Sequence, residues 1–261
     1  MISIIESADN KTFKIFKSYL NKKNRQKNKI FMAEGLKVIK EAIDYKNPVD
    51  IAISDRIYKN QEVVEIIDKL KDTTNIYIIS EKIFNLLTDT EHPQGIVAYF
   101  SFLHKENIQN IEDGHYIYID DIKDPGNLGG IIRSAEAFNI KGVILSKETV
   151  DLYNPKVVRT TMASIFREPI YIINKKEELL NVKNRFLVIS AAFENSVDSD
   201  VFDYKKNIIL AIGNEAHGVS NEIINMSDYI VKIPMSRVIN SLNANVAASI
   251  LMYEMDCSTR K

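Results

Sequence analysis

The chain of 261 residues has a single cysteine, Cys257, so it cannot form an internal disulfide. Such cysteine usage is typical of proteins in the reducing cytosol. The first residues lack the charged and then apolar pattern of a signal peptide. No apolar run approaches the roughly 20 residues needed to span a bilayer. We therefore expect a cytoplasmic protein that is not anchored in a membrane.

The sequence also lacks the patterns of metal centres and of dinucleotide-binding turns. The glycines at 126, 129 and 130 have the wrong spacing for the Gly-x-Gly-x-x-Gly turn of a nucleotide-binding dehydrogenase. Histidines with ligand-like spacing, or with cysteine partners, would indicate a metal site. The four histidines have neither: His92, His104, His115 and His217. We expect no metal and no dehydrogenase activity.

An excess of positive charge, which would indicate a nucleic-acid-binding protein, is absent from the chain as a whole. Its formal net charge is −1. Residues 11–29, however, contain eight cations and no acid, and such a run attracts phosphate regardless of base sequence. The alternative is an ordinary solvated helix face followed by a loop. The candidate RNA contacts are Lys22, Lys23, Arg25, Lys27 and Lys29.

Apolar periodicity divides the chain into two α/β regions. In residues 1–102, short apolar strands alternate with amphipathic helices, which predicts a mainly parallel sheet covered on both faces. The polar stretch 103–114 is predicted to be a linker. Residues 115–261 again alternate strands with helices. Their last helix, at about 245–255, is apolar nearly all round, so we expect it to be buried in the core or at a subunit interface.

Three short segments of the second region carry polar residues where a predicted strand ends. They are DPGNLGGIIR at 124–133, IGNEAHG at 212–218 and IPMSRVINSLN at 233–243. Ligands of open α/β sheets bind outside the carboxyl ends of the strands. The three segments are therefore predicted to build one site.

The order and spacing of these segments resemble the three motifs of the SpoU (TrmH) family of RNA ribose 2′-O-methyltransferases. The first motif places Asn127 and Arg133 six positions apart, the second is Gly-Asn-Glu at 213–215, and the third joins Ile-Pro-Met at 233–235 to Ser-Leu-Asn at 241–243. Residues 31–35 and 93–95 also match the substrate-binding domain that often precedes the catalytic domain of this family. One departure is Ser236-Arg237, where many members have glycine, and Arg237 there would offer an additional RNA contact.

The resemblance implies a fold, a reaction and partners. The fold would be α/β, with a C-terminal SPOUT-type parallel-sheet domain containing a deep trefoil knot. A small α/β RNA substrate-binding domain of ribosomal-protein type would precede it. The reaction would transfer a methyl group from S-adenosylmethionine to a ribose 2′-hydroxyl, most simply in ribosomal RNA and alternatively in transfer RNA. The family is generally homodimeric. A different class of hypothesis is an RNA-binding scaffold that keeps the fold without catalysis.

The resemblance also assigns roles to residues. Arg133 would be the principal catalytic residue, either clamping phosphate and stabilising alkoxide charge or, as the minority alternative, abstracting the proton. The other candidate catalytic residues are Asn127, Glu215, Ser241 and Asn243. Asn127 also suits a helix cap. Glu215 suits the orientation of Arg133 or of the target nucleotide or, alternatively, the start of a following helix. Ser241 and Asn243 suit both a cap and the site. Predicted contacts to the methyl donor are Gly213, Asn214, Ile233, Met235 and Leu242.

Overall fold

The computed structural model describes residues 2–236 and 241–260. Within it, the chain forms two compact units, Met1–Leu103 with Tyr153–Phe166, and His104–Leu152 with Arg167–Lys261. Residues 153–166, which the sequence-based division places in the second domain, therefore pack with the first unit. The boundary at 103–114 stays a prediction.

The first unit contains a five-stranded sheet of order β1-β4-β3-β5-β2. The strands are β1 Ile2–Ile5, β2 Ile30–Glu34, β3 Asp50–Ser54, β4 Asn75–Ile79 and β5 Ile96–Ser101. Helices α1 Lys11–Ser18, α2 Lys22–Asn28, α3 Leu36–Ala42, α4 Gln61–Leu70 and α5 Glu81–Phe84 accompany them. The core is aromatic, and Phe16 stacks on Tyr99 with ring centroids 4.4 Å apart.

The prediction of a mainly parallel sheet is wrong for this unit. Strand β4 is parallel to β1 and β3, but β5 is antiparallel to both β2 and β3. A parallel neighbour needs a crossover that returns the chain to the starting edge of the sheet. The connection from β4 to β5 contains only the short helix α5, a 3₁₀ turn and the loop 88–95. The chain therefore re-enters the sheet from the edge at which β4 ends.

The second unit contains a seven-stranded sheet of order β10-β12-β9-β11-β6-β7-β8, in which every neighbouring pair is parallel. Its strands are β6 His115–Ile119, β7 Gly142–Ser146, β8 Ile170–Ile173, β9 Leu187–Ala191, β10 Val197–Asp198, β11 Ile208–Ile212 and β12 Tyr229–Lys232. Its α-helices are α6 Pro125–Ala137, α8 Asn221–Met226 and α9 Ala244–Thr259. Helix α7 Pro155–Thr160 lies between β7 and β8 in the chain but belongs to the first unit. The predicted parallel sheet of the second domain is confirmed.

The position of β12 in this sheet is unusual. It lies between β9 and β10, although only residues 192–196 separate those two strands in the chain. The loop 192–196 must therefore cross β12. The third motif begins immediately after β12, so it leaves the sheet next to this crossing.

Helix α9 is buried on one side only. Ala248, Leu251, Met252 and Met255 are at most 1% exposed, while Val246 is 44% and Tyr253 is 54% exposed. Within the unit, the expectation of a buried helix is therefore confirmed for one face and not for the other. No helix in the described part of the chain is long and apolar enough to cross a membrane.

Candidate active site

The first motif forms the start of α6. The cap of this helix is Asp124, whose Oδ1 accepts a hydrogen bond from the Asn127 backbone N–H at 2.8 Å. The expectation that Asn127 caps α6 is therefore wrong. Pro125 occupies the first helical position, which places Asn127 inside the first turn, where Asp124 satisfies its N–H. The Asn127 side chain is left to make other contacts.

The Asn127 side chain joins the three motifs. It is 8% exposed. Its Nδ2 donates to Oε1 of Glu215 at 2.8 Å, and its Oδ1 accepts from Nδ2 of Asn243 at 2.9 Å. Each partner comes from a different motif. Because both ends of the amide are engaged, its orientation is fixed by its neighbours. The predicted convergence of the three segments on one site is thus seen at this side chain.

The second motif also holds the loop that follows β6. The Glu215 carboxylate accepts hydrogen bonds from the backbone N–H groups of Lys123 and Asp124, each at 3.4 Å. Asn214 Nδ2 donates to the carbonyl of Asp121 at 2.8 Å. Glu215 therefore lies at the start of α6. It does not cap α8, whose cap position is Ser220. Among the described residues it makes no hydrogen bond or ion pair with Arg133.

The hydrogen bonds to Glu215 determine its charge. Burial raises the pKa of this carboxyl group, but the hydrogen bonds from Asn127 and from nearby backbone N–H groups outweigh it and lower the pKa below 4.5. Glu215 is therefore an anion near neutral pH. An anion among fixed donors is well suited to positioning the first motif and poorly suited to donating a proton.

The turn after β11 requires glycine at position 213. A Cβ on Gly213 would lie 2.0 Å from the carbonyl carbon of Gly218 and 2.1 Å from the backbone nitrogen of Val219. Neither contact can be relieved by a side-chain rotation. The loop closes on itself through Asn214 N–H to Gly218 O at 3.0 Å and the reverse bond at 2.8 Å.

We predict that Gly213→Ala destabilises the fold by about 1–3 kcal/mol, the cost of overpacking a tight site. We also expect it to abolish detectable donor binding, because the loop must move. The matched control is Gly218→Ala, where a Cβ meets nothing within 4 Å and only the strain of φ +70° applies. Urea unfolding and equilibrium binding of S-adenosylhomocysteine measure both effects. Equal behaviour of the two variants would contradict the prediction.

The third motif supplies the apolar part of the site. Ile233, Met235 and Leu242 are half-buried, and Ser241 is exposed. Asn243 caps α9, as predicted, because its Oδ1 accepts from the Asn245 backbone N–H at 3.0 Å. Residues 237–240 lie outside the described part of the chain, and the predicted RNA contact of Arg237 lies there.

Arg133 lies in the middle of α6 and is exposed. Its helix packs closely against α9, since a Cβ on Gly130 would come 2.5 Å from Nδ2 of Asn245. Ser134 Oγ lies 2.8 Å from Ser249 Oγ at the same contact. Within the described residues the Arg133 guanidinium makes no hydrogen bond or ion pair. Its charge is therefore available to a ligand.

A buried ion pair at the end of β6 was missed by sequence reasoning. Asp120 is 1% exposed. Its Oδ1 is 2.9 Å from Lys176 Nζ, and its Oδ2 accepts the Ser220 backbone N–H at 2.8 Å. The pair ties the strand bearing the first motif to the start of α8. An aspartate directly after an apolar strand was the available signal, but its partner Lys176 is 56 positions away in the chain.

The five basic residues proposed for RNA divide into two groups. Arg25 is 2% exposed, and its Nη1 donates to the carbonyls of Tyr19 and Leu20 at 2.8 Å each. It therefore holds the turn between α1 and α2 and has no surface for phosphate, which removes it from the candidates. The exposed members are Lys22, Lys23, Lys27 and Lys29.

Comparison with known proteins identifies the family. The model of the SpoU rRNA Methylase family matches residues 114–253, and the MRM3-like substrate binding domain matches residues 10–98. The chain belongs to the SpoU rRNA methylase family. The prediction made from the three motifs and from residues 31–35 and 93–95 is confirmed. Among the described residues, no group of three or more His, Cys, Asp or Glu could hold a metal ion.

Individual relatives resemble the chain over nearly its whole length. The 23S rRNA (guanosine(2553)-2′-O)-methyltransferase RlmP of Bacillus subtilis is 31% identical over 96% of this chain and 98% of its own. The AdoMet-bound rRNA methyltransferase of Sinorhizobium meliloti superposes with a TM-score of 0.89 at 29% identity, covering 97% of both chains. AviRb of Streptomyces viridochromogenes, also with AdoMet, gives 0.87 at 27% identity, covering 96% of this chain and 98% of its own. The predicted SPOUT fold class and the class of enzyme are confirmed.

Proposed function

We propose that the protein methylates a ribose 2′-hydroxyl of ribosomal RNA, with S-adenosylmethionine as the methyl donor. The observation that carries the proposal is the Asn127 side chain, which bonds Glu215 at 2.8 Å and Asn243 at 2.9 Å and so joins all three motifs. A scaffold that only bound RNA would not need this buried polar connection at the carboxyl ends of its strands. Of the relatives named above, RlmP is named a 23S rRNA methyltransferase and the Sinorhizobium meliloti protein an rRNA methyltransferase, which favours ribosomal over transfer RNA.

The residues present fit the donor. Ile233, Met235 and Leu242 offer half-buried apolar surface, which suits an adenine ring whose polar edge is read by backbone groups. Gly213 and Asn214 supply backbone at the end of β11, where no side chain fits at position 213. When bound, S-adenosylmethionine supplies an electrophilic methyl group on a cationic sulfonium.

Arg133 stabilises charge on the RNA side of the reaction. A 2′-hydroxyl becomes a better nucleophile as its proton leaves, and the developing alkoxide needs a cation nearby. A guanidinium stays charged at all working pH values, so Arg133 clamps phosphate and stabilises the alkoxide more readily than it abstracts a proton. Three of the other candidate residues position the motif loops through their mutual hydrogen bonds: Asn127, Glu215 and Asn243. Ser241 completes the candidate set.

Two features of assembly belong to the same proposal. The exposed lysines of α2 and its C-terminal cap, Lys22, Lys23, Lys27 and Lys29, supply phosphate attraction in the substrate-binding unit. The protein also acts as a homodimer in this proposal. Val246 and Tyr253 are 44% and 54% exposed, and their spacing of seven residues places them on one face of α9. Exposed apolar side chains that share a face, unlike ones scattered singly, mark interaction sites.

The first test is methyl transfer from labelled S-adenosylmethionine to RNA of cells that lack the gene. Ribosomal and transfer RNA are assayed separately, and the labelled nucleotides are identified after digestion. We expect label in ribosomal RNA as one ribose-methylated nucleotide. Label only in transfer RNA would overturn the substrate assignment. Failure to bind the donor, in protein shown to be folded, would overturn the methyltransferase assignment itself.

A further inference from the structure

An exposed aromatic side chain near the end of β9 has no part in the three motifs. Phe193 follows β9 and is 55% exposed. Exposed apolar residues scattered singly over a surface are common, so the exposure alone indicates nothing. The position of Phe193 in the sheet is informative, because β9 lies between β12 and β11. These two strands lead into the third and second motifs.

The strand register places the end of β9 level with the ends of β11 and β12. Ala191 pairs with Val231 of β12, and Ser190 pairs with Ala211 of β11. The Ala192 N–H donates to the Val231 carbonyl at 3.0 Å, which closes the Ala191–Val231 pair. Val197 of β10 pairs with the same Val231 from the other side. The loop that carries Phe193 therefore crosses β12 close to Val231, two residues before the third motif begins at Ile233.

The ring is carried by a constrained turn. Ser196 Oγ donates to the Phe193 carbonyl at 2.7 Å, and Asn195 adopts a left-handed conformation with φ +53°. This is the loop 192–196 that crosses β12. A turn held by a side-chain bond loses little backbone freedom when a ligand binds to it.

We propose that Phe193 stacks against a nucleobase bound beside the second and third motif loops. The inference rests on the proposed function, which brings two nucleobases to this edge of the sheet, the adenine of S-adenosylmethionine and a base of the RNA. Stacking on an aromatic side chain suits either, since every base presents a π-face. Sequence reasoning missed Phe193 because the residue lies outside all three motifs.

The experiment compares the full-length variants Phe193→Ala, Phe193→Leu and Phe193→Tyr with the wild-type protein. Two equilibria are measured without turnover: binding of S-adenosylmethionine alone, and binding of unmodified ribosomal RNA alone. We expect Phe193→Ala and Phe193→Leu to weaken one of them about 10- to 100-fold, the scale of one base–aromatic stack. Phe193→Tyr, which keeps the ring, should stay within about threefold of the wild type. Weakened donor binding identifies adenine as the stacked base, and weakened RNA binding identifies an RNA base.

The matched control is Val201→Ala, which removes a 78% exposed apolar side chain from the segment that follows the same loop. It should change neither equilibrium. Unchanged binding of both ligands by Phe193→Ala would overturn the inference, as would a Phe193→Leu variant equal to the wild type, because a ring would then be unnecessary. A wild-type protein that binds neither ligand would instead overturn the proposed function.

Discussion

Replacement of Arg133 by alanine should reduce methyl transfer at least about 100-fold, the scale of losing one charge-stabilising group at a transition state. Arg133 is exposed and makes no ion pair or hydrogen bond within the described residues, so its removal leaves no buried group unpaired. The free energy of unfolding and the affinity for S-adenosylmethionine should therefore stay close to those of the wild type. Single-turnover methylation of ribosomal RNA measures the rate.

Two variants sharpen this prediction. Arg133→Lys keeps the positive charge but loses the planar fork, so an activity between those of alanine and arginine would indicate bidentate clamping of phosphate. Lys141→Ala removes another exposed cation, immediately before β7, at the amino edge of the sheet and away from the motif loops. It should retain full activity. An Arg133→Ala enzyme within threefold of the wild type would remove Arg133 from the mechanism.

The sequence predicts much of the second unit because its elements have strong local signals. The strands β6, β7, β9 and β11 are continuous apolar runs, and Asn243 has the short polar side chain that begins a helix. Three short strands were not predicted: β1, β8 and β10, with four, four and two residues. The reversal before β5 was also missed, since an apolar run carries no sign of its direction.

The limits at the site follow from distance along the chain. The three motifs were expected to meet, but periodicity cannot show which atoms bond. Asn127 and Asn243 are 116 positions apart and Asn127 and Glu215 are 88 apart. The local interpretation made Asn127 a cap, although Asp124 performs that role. Arg25 was assigned from charge alone, and only the packed structure shows its guanidinium bonded to backbone carbonyls.

A second large effect is expected at Glu168, which precedes β8 and is 8% exposed. Its Oε1 has no hydrogen-bond partner among the described residues. Burial, with a smaller contribution from the nearby charge of Glu136, raises its pKa from 4.5 to about 8. Glu136 itself is paired with Arg167, whose Nη2 donates to it at 3.0 Å.

The direction of the pH effect follows from proton binding. Between pH 4.5 and about 8, Glu168 holds its proton in the folded protein and loses it in the unfolded chain. The folded state therefore binds more protons there, and its stability falls as the pH rises through this window. At 1.36 kcal/mol per pKa unit, the loss between pH 5 and 9 is roughly 3–4 kcal/mol.

Glu168→Gln should remove this dependence, because the amide keeps the shape of the protonated carboxyl and cannot ionise. Urea unfolding at pH 5, 7 and 9 should show the variant close to the wild type at pH 5 and more stable by roughly 3–4 kcal/mol at pH 9. Glu177→Gln, at an exposed position, is the matched control and should follow the wild-type profile. Parallel stability profiles for the wild type and Glu168→Gln would mean that the Glu168 carboxyl group has its ordinary pKa in the folded protein. Such an ordinary pKa would require water or a cation beside the Glu168 carboxylate, which would contradict its burial.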